Sequence, residues 1–407
     1  MEAGTEAVDA RQMAGFKDFY QFAWSTRVVA GRGLLEGAGF EFAKDGASRV
    51  FVVTDQVIRG TGLVDRVVDG LADGGLELAG VFDDVPQDSA VDVVERCAAA
   101  AKDAGADSFL AVGGGSVMDT AKVAMVLFSH GGTVHEYEGI YALPREADGL
   151  GAPLPVAPLC CIPTTAGTGS EVSMGAVVKD HETKVKLEFA DFPLFPRLAI
   201  LDPESTRTLP PAIAAATGMD AMTHAIEGYV SVDWSPHNDA RALHALRMIH
   251  ANLEKAVHSP EDEEARGNML IAASLAITTS LGITHSMSHP CGGHYGVAHG
   301  VANAINLPHS IRFNARGGSD IANRYRDVAE VLGSEPGGSD TDVADALADR
   351  IAELTGSLGL PQRLSEVGVP EEGIPLLVEG AMGDGCTLMN PRETGEEDFS
   401  QLFHAAL

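Results

Sequence analysis

The 407-residue chain has few cysteines, no long apolar run and little positive charge, and each shortage removes a class of protein. Five cysteines, an odd number at no repeated spacing, do not make the framework of a disulfide-stapled fold. Cys160 and Cys161 stand side by side in an apolar stretch and read as buried strand thiols, whereas Cys291 lies inside a histidine-rich segment and carries a ligand hypothesis. No stretch reaches the roughly 18 apolar residues that a spanning helix needs. The N-terminal residues MEAGTEAVDARQ have neither a basic n-region nor an apolar h-region, so no secretory signal is expected, and the expected compartment is the cytoplasm. Lysine and arginine number 28 against 58 acidic residues, a net charge of −30. Nucleic acid and anionic membranes both demand a basic footprint, so neither is expected as a partner. No internal repeat or low-complexity tract stands out.

What is present is an ordinary globular composition, 45% hydrophobic and 21% charged, on a chain long enough for two domains. The first half alternates strands and helices. Arg49 to Thr54, Leu78 to Phe82, Ser108 to Val112 and Val156 to Ile162 read as strands. Residues 62–73, Val91 to Ala104 and Val117 to Ser129 read as helices between them. This rhythm predicts a mostly parallel sheet with helices on both faces. After Leu209-Pro210-Pro211 the pattern becomes helical, over 212–231, 236–257, 263–281, 318–332, 341–357 and 397–406, with a turn at Glu335-Pro336-Gly337-Gly338. The expected organisation is therefore an α/β domain over 1–208 and an all-α domain over 209–407.

Two loops follow strands and carry ligand-facing chemistry. Gly113-Gly114-Gly115-Ser116 leaves a buried strand and opens a helix, so backbone N–H groups and a positive dipole end meet where glycine allows close approach, which suits a pyrophosphate. Asp119 and Lys122 follow on that helix, but Met118 stands where the third glycine of the usual dinucleotide fingerprint would be. A plain tight turn is the alternative. Pro163 to Glu171 (PTTAGTGSE) offers threonine and serine hydroxyls, fitting either a nucleotide-facing loop or an unliganded connection. Asp55 ends the Val52-Val53-Thr54 strand. An acid there can accept from ribose hydroxyls and repel a 2′-phosphate, favouring NAD over NADP, although a solvated turn acid would look the same.

The densest chemistry lies further on. Asp220 and His224 are four apart, hence on one helix face. His285, His289, His294 and His299 follow within HSMSHPCGGHYGVAH. One carboxylate and several imidazoles converging from two segments are the donors a divalent transition metal takes. Separate histidines with local hydrogen bonds are the blander reading, and spacing alone does not choose which histidines bind. Pro290 predicts that the helix ends near His289, with Gly292 and Gly293 turning the chain back to deliver a later histidine.

Four motifs in order, GGGSxxDxAK at 113–122, PTTAGTGSE at 163–171, GMDAxxHAxE at 218–227 and HxxxHP…HG at 285–300, resemble the iron-containing (group III) alcohol dehydrogenase family over roughly residues 25–315. The resemblance implies a Rossmann-like variant domain followed by an all-α metal-binding domain, the architecture shared with dehydroquinate synthase. It implies Asp220, His224, His285 and His299 as metal ligands and His289 beside the nicotinamide and substrate. It implies Gly114, Gly115, Ser116 and Asp119 on the pyrophosphate and nicotinamide side, and Thr164, Thr165 and Thr168 near the adenosine. Lys186 is implied along the phosphate–ribose stretch, and Asp55 as the NAD-favouring acid. His294 is kept as an outer partner of the centre, and Cys291 is not needed as a ligand. The implied reaction is hydride transfer between NAD(H), with NADP(H) as the alternative, and a small primary alcohol or aldehyde, a hydroxyacid or phosphonate-bearing one included. Fe2+ is the expected metal and Zn2+ the alternative, in a homodimer or higher homo-oligomer. Two other readings stand beside it: a dehydroquinate-synthase-like lyase, which would show no net NADH formation, and a non-catalytic NAD-binding assembly protein, which has no use for a complete ligand set.

Overall fold

The structure, a computed structural model, describes residues 19–146, 151–183, 185–278, 280–334 and 337–407. The acidic N-terminal segment up to residue 18 and the first half of the Glu335–Gly338 turn lie outside them. The chain divides into two compact units, one of residues 24–214 and 259–277, the other of residues 19–23, 215–258 and 278–407 among those described.

The first unit is built on a six-stranded sheet of β1 (Arg27–Ala30), β2 (Arg49–Val53), β3 (Glu77–Phe82), β4 (Ser108–Gly113), β6 (Leu159–Pro163) and β9 (Leu198–Leu201). The order is β1-β9-β6-β4-β2-β3 and every pairing is parallel. The apolar runs make this possible, because alternate residues feed two separate cores. Phe51, Val53, Phe109 and Ala111 pack on one face with helices α4 (Val91–Asp103) and α5 (Gly115–His130). Val50, Val52, Leu110, Val112, Cys160 and Ile162 pack on the other with α1 (Ala38–Ala43) and α3 (Leu63–Asp73). A strand buried on both faces has no polar alternation to show, so it reads as a continuous apolar segment. The chain steps from β2 outward to β3, then returns to β4 on the other side of β2. This reversal is the topological switch point where open α/β sheets receive ligands, beyond the carboxyl ends of the strands. Asp55 opens the short helix α2 (Gln56–Gly60) on one side of it and Gly113–Gly115 leaves β4 on the other. A small second sheet, β5 (Gly139–Ile140), β7 (Gly175–Asp180) and β8 (Val185–Ala190), was not expected from the sequence.

The second unit is helical: α6 (Pro211–Val230, from Ala215 onward), α7 (Pro236–His258), α9 (Ile283–Tyr295), α10 (His299–Asn314), α11 (Ser319–Val331), α12 (Asp340–Ser357), α13 (Ile374–Met382) and α14 (Glu396–Ala406). Compared with a single cut after residue 208, three segments change sides, the first being residues 209–214, which stay with the α/β unit. Helix α8 (Glu263–Ala276), shorter than the expected 263–281, groups with the α/β unit, where the Arg266 guanidinium donates to the Pro203 carbonyl and Gly169 leaves no room between itself and Ile277. Residues 19–23 group with the helical unit, Phe22 stacking on His237 at 4.8 Å. Among the described residues no helix is long and apolar enough to cross a membrane.

One expectation is corrected here. Helix α9 does not end at His289 but runs through Pro290 to Tyr295, and the turn is made by Gly296 at φ 67°, not by Gly292 and Gly293. An internal proline costs about 3 kcal/mol. Against it, Ile283, Met287 and Cys291 are all buried in one core with Leu377, Val378 and Phe399. Each such side chain is worth roughly 1.5–3 kcal/mol for the large aliphatics, enough to carry the helix past the defect. The proline ring has its own niche, since a Cβ on Gly380 of α13 would fall 2.7 Å from Pro290 Cβ.

Candidate metal centre

Helix α6 places Asp220, His224 and Glu227 on one buried face, at spacings of four and three. Helix α9 brings His285 to the same place, and α10 brings His299, its first residue. Close approach of α10 to α6 depends on Gly300, because a Cβ there would lie 2.2 Å from the Ala216 carbonyl oxygen. The Nε2 atoms of His224, His285 and His299 then lie 3.9, 3.9 and 3.5 Å from Asp220 Oδ1. Oxygen and nitrogen donors held at about 2.1 Å from one tetrahedral cation are roughly 3.4 Å apart, so this spacing suits a shared ion. Asp220, His285 and His299 offer donors within 4.8 Å of one another; His224 joins them through Asp220 and stacks on His285 at 4.8 Å.

The surroundings also fit. His285 Nδ1 lies 2.5 Å from Glu227 Oε2, and Glu227 Oε1 accepts from the Thr284 backbone at 2.7 Å. A carboxylate on Nδ1 keeps the ring proton there and turns the Nε2 lone pair inward, as metal-binding histidines require. Burial alone would lower the His285 pKa, but Glu227 outweighs it and the net shift is upward. Burial would likewise raise Glu227, and His285 holds it down. Asn303 Nδ2 donates to Asp220 Oδ1 at 2.8 Å and lies 3.3 and 3.2 Å from the Nε2 atoms of His285 and His299, while its buried Oδ1 has no hydrogen-bond partner among the described residues. The donor set, one carboxylate and three imidazoles, with an orphaned amide oxygen beside it, fits a divalent cation.

His289 stacks on the His299 ring at 5.3 Å, and its Nδ1 meets Asp384 Oδ2 at 2.6 Å. Its place beside the cluster, with Nδ1 already engaged, sets it apart from the inward-facing Nε2 atoms. His294 is exposed in the last turn of α9 against Tyr295, because the helix continues past Pro290 and carries it away; the expected role as an outer partner of the centre has no support. Cys291 is buried, donates to the Met287 carbonyl at 3.1 Å, and burial pushes its pKa up to about 12, so it is inert. Glu227, Asn303 and Asp384 were not assigned from sequence. Glu227 carried a signal, lying seven residues, two helical turns, from Asp220; Asp384, 95 residues beyond His289, carried none.

In the α/β unit the glycine and threonine loops leave adjacent strands in register, Gly113 opposite Pro163, and Thr164 N donates to Gly113 O at 3.0 Å. Gly115 must lack a side chain because its Cβ would lie 2.9 Å from Thr168 Cγ2, whereas Gly114 meets only ordinary contact with Thr165. Thr164 is buried; Thr165 and Thr168 are part-exposed. Ser116 Oγ donates to the Gln87 carbonyl. Asp119 accepts from Ser170 Oγ at 2.8 Å and Val177 N at 3.0 Å, so its carboxyl group fastens the threonine loop to β7; burial raises its pKa, and the nearby charges of Lys122 and then Lys186 only partly offset this. Buried Lys122 adds bonds to Ser170 Oγ at 2.9 Å and Gly175 O at 2.7 Å. Asp55 Oδ1 accepts from Ile58 N at 2.9 Å, capping α2.

The family model described as iron-containing alcohol dehydrogenase matches residues 25–203, and the model of that family's C-terminal part matches residues 214–407. The chain is 36% identical to the NAD-dependent methanol dehydrogenase of Bacillus methanolicus, over 93% of this chain and 97% of that protein. It is 35% identical to the lactaldehyde reductase of Escherichia coli K12, over 92% and 96%. The crystal structure of a 1,3-propanediol oxidoreductase superposes with a TM-score of 0.90 at 34% identity, covering 96% of this chain and all of that one.

Proposed function

The chain belongs to the iron-containing alcohol dehydrogenase family, an NAD(P)-dependent oxidoreductase of alcohols and aldehydes that uses a divalent metal, and from that premise we propose that Asp220, His224, His285 and His299 hold the metal for reversible reduction of small aldehydes to primary alcohols. The observation that carries the ligand assignment is the ring of three Nε2 atoms about Asp220 Oδ1, with His285 turned inward by Glu227. The α/β unit is the dinucleotide-binding part, supported by the switch point between β2 and β4 that Asp55 and the glycine loop flank.

When bound there, Fe2+, or Zn2+ in its place, supplies a Lewis acid that polarises the substrate oxygen. The rest belongs to the chain. Three neutral imidazoles against one carboxylate leave the ion's positive charge only partly balanced, as Lewis-acid chemistry requires. Glu227 and Asn303 orient the donors. His289, one-fifth exposed, is the group that exchanges the substrate proton with solvent. Overall, aldehyde, NADH and a proton yield alcohol and NAD+. Asp55 favours NADH, since a 2′-phosphate beside its carboxylate would be repelled. A homodimer in the cytoplasm completes the reading, on the resemblance and composition alone. The lyase and assembly-protein alternatives recede, because the relatives above are named as a dehydrogenase, a reductase and an oxidoreductase. The test is an aldehyde panel with NADH and with NADPH on anaerobically purified, iron-loaded enzyme. Oxidation of NADH by small aldehydes is expected; no net nicotinamide turnover with any of them would overturn the reading.

A further inference from the structure

Asp384 lies between α13 and the turn Gly385–Met389, where both carboxylate oxygens are committed. Oδ2 meets His289 Nδ1 at 2.6 Å; Oδ1 accepts from the Cys386 backbone N–H at 2.9 Å, with Ser286 Oγ at 3.4 Å. We propose that Asp384 is a positioning residue that fixes His289 as the Nδ1–H tautomer and so leaves Nε2 as the ring's proton acceptor. The inference rests on the reading of His289 as the proton-exchanging group.

Three observations support it. An ionised carboxylate only accepts, so the shared proton sits on Nδ1 and the opposite nitrogen carries the lone pair. Burial would raise the Asp384 pKa, but the bond to His289 outweighs it and holds the acid down at about 2, so it stays ionised. The ring plane lies within 18° of the His299 plane, a stacking contact consistent with the orientation that the Asp384 bond sets. His289, Asp384 and Cys386 also bring potential metal donors within 4.8 Å of one another. The bonds that His289 and Cys386 each make to the carboxylate account for that closeness without an ion. In alcohol oxidation the hydride leaves carbon for NAD+ and the hydroxyl proton passes to His289 Nε2, directly or through one water. The resulting imidazolium keeps its Nδ1 proton on Asp384 and returns the Nε2 proton to solvent.

Asp384→Asn is the test. Its amide oxygen can keep the Cys386 N–H, which presents the NH2 group to His289 Nδ1 and drives the ring proton to Nε2. On iron-loaded enzyme, kcat is expected to fall about 100-fold, within the range of general acid–base catalysis, with KM and metal content within about twofold of wild type. Asp384→Glu, which keeps a carboxylate, recovers part of the loss. On zinc-loaded protein, two-bond 15N–1H spectra are expected to show His289 as Nδ1–H in the wild type and Nε2–H in Asp384→Asn, the signals being assigned by their loss in His289→Gln. Wild-type turnover in Asp384→Asn, or an Nε2–H ring in the wild type, overturns the inference. His289→Gln separates the two claims: if it turns over like the wild type the relay reading falls, whereas if it is impaired and Asp384→Asn is not, only the positioning role of Asp384 falls.

Discussion

Glu227→Gln should weaken metal binding without unfolding the protein. The two oxygens of the buried carboxylate face different groups: Oε1 accepts from the Thr284 backbone N–H at 2.7 Å, and Oε2 lies 2.5 Å from His285 Nδ1. A backbone N–H can only donate, so the glutamine oxygen must stay on Thr284 and the NH2 group must face His285. The imidazole then has to accept at Nδ1, its proton moves to Nε2, and the lone pair aimed toward Asp220 is lost. Changing a partner of this kind typically costs 10–100-fold in metal affinity, about 1.4–2.7 kcal/mol. The assay is competition of Zn2+ or Fe2+ against a chelator, read as metal retained per chain. Glu227→Ala serves as contrast: it also strands the Thr284 N–H and should cost about 1–3 kcal/mol of stability, seen as a lower denaturation midpoint. Wild-type metal affinity in Glu227→Gln would refute the reasoning that this carboxylate sets the His285 tautomer.

Asp55→Ser should relax cofactor choice toward NADPH, measured as the ratio of kcat/KM for the two cofactors; a wild type that already prefers NADPH would contradict the role given to Asp55. Gly300→Ala pushes a methyl group against the Ala216 carbonyl and should displace His299, lowering metal affinity at least tenfold and stability by about 1–3 kcal/mol, checked by chelator competition and denaturant midpoint. Glu171, buried in the threonine loop, has its pKa raised by burial to about 7. The folded state therefore keeps a proton that the unfolded chain loses near its ordinary 4.5, so this contribution is fully present below pH 4.5 and is lost as pH rises toward 7. At 1.36 kcal/mol per unit the loss is up to roughly 3 kcal/mol. Glu171→Gln should remove that slope from denaturation midpoints measured at pH 5 and 7.5; an unchanged slope counts against it.

The inner strands β2, β4 and β6 were legible because they are short apolar runs bounded by turn residues, and most of the long helices because their apolar positions recur over many turns; the four-residue β1 and β9 and helix α10 were not read. β5 has only two residues and pairs with the distant β8, while β7 and β8 mix charged with apolar positions, so none of the three carries the continuous apolar pattern of the main sheet. Pro290 misled because local propensity was the only term in view; the core packing of Ile283, Met287 and Cys291 is invisible until α13 and α14 are in place. The metal centre was legible to the extent that its donors share helix faces, Asp220 with His224, and lie in a histidine-dense segment. What tunes those donors was partly hidden: Glu227 stood in register on α6, but Asp384 reaches His289 only through the fold.

The most direct test of the account is turnover of a small aldehyde with NADH by wild type and His299→Ala, after chelation and again after anaerobic reloading with Fe2+. Chelated wild type should lose more than about 99% of its activity and regain it with the metal, because the substrate oxygen is then without its Lewis acid. His299→Ala should keep its secondary structure, retain little iron and recover little activity. Full turnover by chelated wild type containing only traces of metal would contradict the central claim.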